Sequence, residues 1–309
     1  MWILLWVNLL GCITKIVDRF TVDRIVGQAK TVGDTQMPCG LGESLNHVLM
    51  AAQTKRKSPD LALVISNGTV GICAQQQAWE LRLQVERVKV HRPITDSHRV
   101  AAIKDAQYAA ARWDAIAARR FYQSFLHAEA AFGSMDAPCP TISDKDEVAY
   151  LVGLISGTFA VLHDKQSDGQ VGVPLDLLPK ITRAATCLDN ESWWYVPQAL
   201  QGGIWATVPG SGPDDVDPWA LLEQAAKLGA ESGVRVSYAV GSILANNAGN
   251  IELLESLLIE HGSSLNSQEV ATEWEFFDQY ATEVSLFQSD LLWTSKFGHR
   301  TPVLGQLPK

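Results

Sequence analysis

The segment VRVSYAVGSILANNAGNIELLESLLIEH, residues 234–261, decides the fold class that the sequence predicts. Apolar residues recur at helical spacing over 234–247 and again over 251–261. A short turn separates the two stretches and contains Gly249, a residue type that commonly ends a helix. The small Gly241 in the first stretch leaves room for a second helix to approach closely. The segment therefore predicts an antiparallel helical hairpin.

A weak repeat of about 41 residues precedes this hairpin. The sequence ITRAA at 181–185 aligns with LEQAA at 222–226, and each predicted helix begins near a proline, Pro174 or Pro218. Repeats of this size are typical of stacked helical hairpins. Further helices are predicted in this half over 148–162, 194–208 and 269–293.

The first half of the chain is also helical by pattern. Trp113, Ala117, Phe121 and Phe125 recur every four residues and predict an amphipathic helix over 106–131. Ser58 followed by Pro59 is a favourable helix start, so a helix is expected from there toward Gln84. Shorter helices are predicted over 16–26, with an apolar face that includes Ile16 and Phe20, and over 42–52.

Together these patterns predict an all-α fold of stacked antiparallel hairpins, an α-solenoid or α–α superhelix. The hairpin at 234–261 resembles a tetratricopeptide hairpin, with Leu253 where that repeat carries an alanine in its second helix. The prolines at 138 and 140 interrupt the chain between two blocks. We therefore divide it into a leader (1–12), an N-terminal helical block (13–137), a tetratricopeptide-like block (138–293) and a frayed tail (294–309).

The leader has the composition of a signal sequence. Residues 1–10 are apolar and uncharged, and the run is too short to span a bilayer. It ends in Leu10, Gly11, Cys12, a lipobox-like order that predicts a lipid on Cys12 and a membrane anchor. The alternative is an ordinary N-terminus with an incidental cysteine. No Lys or Arg precedes the apolar run, whereas a signal sequence normally opens with a basic region.

Composition limits the class of partner. The 309 residues include 34 acidic and 25 basic side chains, and no segment concentrates Lys and Arg, so nucleic acid is not an expected partner. After the leader no apolar run reaches the roughly 18 residues of a spanning helix, so the body is expected to be soluble.

Cys39, Cys73, Cys139 and Cys187 lack CxxC spacing, which argues against a zinc or thioredoxin-like site. We expect buried free thiols; disulfides, with Cys39–Cys73 one pairing, are the alternative in an oxidising compartment.

Motifs that carry chemistry are missing from the sequence. It contains no hydrolase elbow, phosphate loop, dinucleotide fingerprint or HExxH motif, so no catalytic residue, cofactor or metal is predicted. The seven histidines are scattered and are expected at the surface or at helix ends. Asp214, Asp215 and Asp217 precede Pro218, where carboxylates favour a helix N-terminus, with a calcium site as the alternative.

Aromatic residues supply the sharper candidate site. Trp193 and Trp194 would point about 100° apart on a helix, so at least one is expected to face a groove or a partner. Packing between hairpins is the first interpretation of these tryptophans, because tryptophans commonly fill cores; the groove or channel wall is the alternative. The predicted ligand- or partner-binding residues are Trp193, Trp194, Tyr195, Trp205, Trp219, Tyr150, Tyr238 and Asn246.

Several stretches, in this order, resemble the TatT family, the T component that accompanies TRAP (tripartite ATP-independent periplasmic) transporters. They are GCITKIVDRFTVDRIV (11–26), EVAYLVGLISGTFAVL (147–162), VPLDLLPKITRAATCLD (173–189) and VRVSYAVGSILANNAGNIELLESLL (234–258), followed by SLFQSDLLW (285–293). The resemblance implies a non-catalytic periplasmic lipoprotein, anchored to the outer membrane and often trimeric, whose partner is the periplasmic solute-binding subunit. The chain departs from the family in its short uncharged leader and in the Pro and Gly content of 196–212.

Three functions remain open on the sequence alone. The first is this transport-associated scaffold, which predicts acylation and a solute-binding partner. The second is a helical-repeat adaptor without acylation and with an unrelated partner. The third is an enzyme whose site is assembled from dispersed residues, which predicts titratable groups converging in a pocket.

Overall fold

Helices make up the framework of the chain. Its computed structural model describes residues 13–54, 57–90 and 97–308, and no strand occurs among them. The all-α prediction is therefore confirmed. In chain order the helices are α1 (13–29), α2 (Gln36–Ala51), α3 (Asp60–Val90), α4 (Ser97–Phe132), α5 (Glu147–Gln166), α6 (Leu177–Ala185), α7 (Val196–Thr207), α8 (Pro218–Glu231), α9 (Val236–Ala248), α10 (Ile251–Ser267) and α11 (Glu275–Phe297).

The first block is built on the long antiparallel pair α3 and α4, against which α5 packs. Phe121 and Phe125 of α4 are buried as their four-residue spacing predicts, and the Phe121 ring meets Phe159 of α5 edge to face at 5.5 Å between centroids. α4 begins nine residues before the predicted start, and α2 begins six residues early. In α2 this extension includes Pro38, which a helix tolerates in its first turn.

The second block consists of stacked helical pairs. Helices α6 and α8 begin 41 residues apart, in agreement with the predicted repeat. Gly249 ends α9 in the left-handed conformation, φ 73°, and Asn250 caps α10 by accepting a hydrogen bond from the Leu253 amide at 3.2 Å. A Cβ atom on Gly241 would lie 3.0 Å from the Leu257 side chain of α10, so the predicted close approach of the two helices of this hairpin is confirmed.

Helix α11 joins the two blocks because it packs along α9 and also against α3. The ring of Phe287 in α11 stacks on Trp79 of α3 with centroids 4.5 Å apart. The helix begins after a single 3₁₀ turn, Thr272–Trp274, six residues later than predicted. None of the described helices has the length and apolar character needed to cross a membrane.

The four cysteines after the leader form two disulfides, so the expectation of free thiols is wrong. Cys39 bonds Cys73 and ties α2 to α3, and Cys139 bonds Cys187 and ties the connection between the blocks to the end of α6. Cysteines that are far apart in sequence meet here because hairpin stacking brings their backbones within 5.6 and 5.3 Å between Cα atoms.

Other sequence expectations are also corrected. Residues beyond 293 are packed, not frayed: Leu304 is buried, and the Trp293 indole donates a hydrogen bond to the Gln306 carbonyl at 2.8 Å. His163 and His261 are buried, although surface positions were expected. In α1 the side chains of Ile16 and Phe20 are exposed, while Val22 and Val26, within the π-helical turns at Thr21–Val26, are buried.

Candidate functional site

An apolar cavity of about 80 Å³ lies among helices of both blocks. Side chains of α3 and α5 form one wall, those of α9 and α11 form the opposite wall, and the end of α1 and the start of α2 cover it. Ile72, Ile155, Val240 and Phe277 are representative of its lining. The sequence places these residues on four separate helices, so only the packing of α11 against both blocks creates the cavity.

Two of the three hydroxyl groups at the cavity wall are already hydrogen-bonded elsewhere, and the third belongs to Ser156. The Thr69 hydroxyl donates to the Ile65 carbonyl at 2.9 Å, and the Tyr280 hydroxyl donates to Gln75 Oε1 at 2.5 Å. Burial raises the pKa of Tyr280 well above its ordinary value, so this hydroxyl stays protonated. Lys30 is the charged residue among the described lining residues, and its ammonium lies 3.6 Å from the ring centroid of Trp274.

Helices α1 and α2 are attached over this cavity by several bonds. The Thr35 hydroxyl donates to Glu283 of α11 at 2.5 Å, and the Phe276 amide donates to the Lys30 carbonyl at 3.0 Å. The Cys39–Cys73 disulfide lies next to Ile72 and Pro38, which both line the cavity. We call the segment of α1, α2 and their connection, residues 13–51, the cap.

A smaller polar pocket of about 50 Å³ adjoins the apolar cavity. Phe159 lines both spaces, and the Tyr280–Gln75 hydrogen bond lies between them. Asn246 lines the polar pocket and donates to Gln288 Oε1 at 2.7 Å. The polar pocket continues into an open cleft of about 370 Å³, because Arg82 and Gln166 line both.

A buried charge cluster stands between the polar pocket and the cleft. Asp114 of α4 is 0% exposed; it accepts a hydrogen bond from the Arg82 guanidinium and lies 2.8 Å from Nδ1 of His163. Arg82 Nε is buried and has no hydrogen-bond partner. Sequence reasoning missed this cluster, although Asp114 interrupts the apolar stripe of the helix predicted over 106–131. That interruption was the available signal, because a carboxylate on a buried face requires partners.

The predicted aromatic pair is buried. Trp193 and Trp194 are 5% and 4% exposed, and both rings pack on Trp274, with centroids 5.5 and 5.0 Å away. The helical argument fails because α7 begins at Val196, and Trp194 and Tyr195 precede it in the left-handed conformation, φ 52° and 58°. The burial of both rings agrees with packing between hairpins and not with the alternative, in which one ring faces a groove of this chain.

The remaining predicted site residues do not converge on one place. Trp205, Trp219 and Tyr195 are half-buried. Tyr150 is buried in the core, where desolvation raises its pKa to about 12. Burial and the nearby Glu260 raise the pKa of Tyr238, whose hydroxyl donates to Glu260 at 3.2 Å. Of the predicted site residues, only Asn246 lines one of the pockets described above. The binding role of the whole set stays a prediction.

Two expectations concern other positions. Cys12 lies outside the described residues. Asp217 caps α8 by accepting hydrogen bonds from the Trp219 and Ala220 amides at 3.0 and 3.2 Å, in agreement with the predicted role of the acidic residues before Pro218. Within 13–54, 57–90 and 97–308, no group of three or more His, Cys, Asp or Glu side chains is arranged to hold a metal ion.

The rings of Trp193, Trp194 and Trp274 form a second layer behind the cavity wall. Phe277 lines the cavity and also contacts Trp194, with ring centroids 5.5 Å apart, so the tryptophans support the wall from behind. The site that the fold assembles is therefore an apolar cavity backed by aromatic rings and followed by a polar pocket.

Comparison of the chain with family models, with curated proteins and with solved structures finds no match.

Proposed function

We propose that this chain is a non-catalytic, lipid-anchored accessory component of a TRAP-type solute transport system, located in the periplasm and held on the outer membrane. In this proposal it binds the periplasmic solute-binding subunit, assembles as a homotrimer and has no nucleic-acid partner. The order of the stretches that resemble the TatT family supports the proposal, and the stacked helical pairs are compatible with it.

The observation that carries the proposal is the pairing of cysteines. Both disulfides fit an oxidising compartment, because such bonds persist outside the cytoplasm and are rare within it. They use every cysteine except Cys12, which stands at the end of the apolar leader. A thiol in that position is the one that lipidation would require.

The binding role is supported by the internal spaces between the blocks. Small-molecule sites are usually concave and mainly apolar, with a few polar groups that orient the ligand. The apolar cavity and the adjoining polar pocket have this combination. A ligand held between the blocks would give the chain a means of handing a solute to, or receiving it from, a partner.

Expression of the tagged chain in its native host tests the anchor and the partner together. We expect mass spectrometry to find an acylated N-terminal Cys12 and membrane fractions to contain the wild type but not Cys12→Ser. Co-purification should recover a periplasmic solute-binding protein. The control is Ser44→Ala in α2, an exposed position that should leave both results unchanged. An unmodified Met1 on soluble wild-type protein would refute the anchor, and absence of any solute-binding protein would refute the transport role.

One observation favours a second candidate, an enzyme with a dispersed site. The Asp114–His163 pair beside a polar pocket resembles the carboxylate–imidazole arrangement of general-base catalysis. Neither the pocket nor the cleft is lined by a Ser, Thr or Cys side chain among the described residues, so the base would have to activate water. If this candidate is correct, hydrolytic activity on a panel of esters and amides should disappear in His163→Gln.

A further inference from the structure

We infer that the apolar cavity beneath the cap binds the hydrocarbon chain of a small anionic amphiphile, a medium-chain carboxylate, with its charged end at Lys30. The inference concerns this cavity alone and does not depend on the proposed transport partner. It rests on the polarity, the size and the charge distribution of the cavity.

The low polarity of the cavity wall favours a hydrocarbon ligand. Thr69 and Tyr280 donate their hydroxyl hydrogens to Ile65 and Gln75, so these groups have no hydrogen left to donate to a ligand. The rest of the wall is mainly aliphatic and aromatic. Ser156 is the remaining hydroxyl of the lining. A polar ligand would therefore replace few of the hydrogen bonds that it makes with water, and each one lost costs several kcal/mol.

The size of the cavity sets the chain length. A volume of about 80 Å³ corresponds to roughly five to eight water positions, at about 10–15 Å³ for each. A methylene group occupies about the volume of one water molecule, so the cavity accommodates roughly five to eight carbons. A medium-chain acid such as octanoate matches this space, whereas a long-chain acid does not.

The charge at the cap selects an anion. Lys30 lies at the end of α1 and lines the cavity, while the other described lining residues carry no formal charge. Its ammonium rests on the half-buried ring of Trp274. This contact holds the cation beside the apolar space. A carboxylate at that position would pair with Lys30 while its chain extends toward Phe159.

The cap itself has the features of a cover over a ligand site. The side chains that α1 and α2 place over the cavity include the small Ala29 and Pro38, which leave the space unfilled. The disulfide joins α2 to α3, and the Thr35–Glu283 hydrogen bond joins the residue before α2 to α11.

Calorimetric titration with straight-chain carboxylates of four to twelve carbons tests the inference. The protein is the full chain carrying Cys12→Ser, so that no detergent competes for the cavity. Affinity should rise about fourfold for each added methylene until the cavity is full near eight carbons, and then stop rising. Octanoate should bind more tightly than octanol and much more tightly than octylammonium.

Variants assign the effect to the cavity. Ile155→Ala enlarges the cavity and should move the limiting chain length by roughly two carbons. The matched control is Leu162→Ala on the same helix, which lines the polar pocket and should leave the limit unchanged. Lys30→Gln should weaken octanoate binding roughly two- to fivefold without affecting octanol, whereas Lys15→Gln, an exposed lysine of α1, should affect neither.

Three results would overturn the inference. They are an affinity that does not depend on chain length, a limiting length that is the same in Ile155→Ala and in the wild type, and equal binding of octanoate and octylammonium. The chain-length limit is read from relative affinities, so a variant with lowered stability still reports on the cavity as long as it remains folded at the temperature of the titration.

Discussion

The Arg235–Asp278 ion pair should be one of the most expensive side-chain contacts to break in this protein. Arg235 is 0% exposed and donates to both carboxylate oxygens of Asp278 at 2.9 Å. It also donates to the Ser264 hydroxyl and carbonyl and to the Gln268 carbonyl, at 2.8 to 2.9 Å. The guanidinium thus connects the start of α9 with the end of α10 and the first turns of α11.

Asp278→Asn keeps the shape of the side chain but removes its charge. It leaves Arg235 as a buried cation without a counter-ion, and breaking a buried pair in this way costs about 3–5 kcal/mol. For a chain of this size the loss corresponds to a fall in Tm of roughly 5 to 8 °C. Urea unfolding followed by circular dichroism, together with a thermal scan, measures both quantities.

The control is Glu80→Gln, which removes the partner of Arg300 at the surface. The two side chains are 45% and 55% exposed, and pairs of this kind contribute about 0–1 kcal/mol. Both ion pairs join α11 or the segment after it to another part of the chain. The two pairs therefore differ mainly in how deeply they are buried. The reasoning fails if Asp278→Asn is no more destabilising than Glu80→Gln.

Three further predictions concern a buried histidine, a buried tryptophan and the disulfides. Burial, with the nearby Arg235 charge, lowers the pKa of His261 from 6.5 to about 3, so its neutral form stabilises the fold above pH 6.5 and this contribution is lost as pH falls toward 3. The advantage of the wild type over His261→Gln in free energy of unfolding should therefore shrink by up to about 1.4 kcal/mol per pH unit below pH 6; an advantage that stays constant would contradict it. Trp194→Ala should cost roughly 3 to 5 kcal/mol in urea unfolding, because the ring is buried against Trp274 and Phe277; unchanged stability of the variant would contradict this reasoning. Replacing Cys39 and Cys73 by serine should cost roughly 3 to 4 kcal/mol and accelerate hydrogen exchange in α2, whereas the same change at Cys139 and Cys187 should leave α2 protected; equal effects of both pairs on α2 exchange would exclude the proposed restraint of the cap.

Patterns of residues close in sequence were sufficient to predict the helices. The spacing of Phe121 and Phe125 and the Gly249 turn depend on residues close in sequence, and backbone hydrogen bonding in a helix is equally local. Helix ends were less well predicted, as in α2 and α11, because burial against neighbours extends or delays a helix beyond its own periodicity.

The candidate site could not be predicted from patterns of residues close in sequence. The wall of the apolar cavity comes from helices separated by up to two hundred residues, and its shape depends on how α11 docks on α3 and α9. Periodicity identifies which side chains turn inward, but it does not say which inward-facing side chains meet. The Arg82–Asp114–His163 cluster was missed for the same reason, since each residue belongs to a different helix.

The sequence by itself determined the all-α class, the repeat of helical pairs and the turn at Gly249, because each follows from interactions within a few residues. Tertiary structure alone decided that Trp193 and Trp194 are both buried, since a left-handed turn at Trp194 and Tyr195 replaces the expected helix there. It also decided the cysteine pairing and the position of the cavity. These depend on the distances between helices remote in sequence, and such distances are set by the packing of whole helix faces.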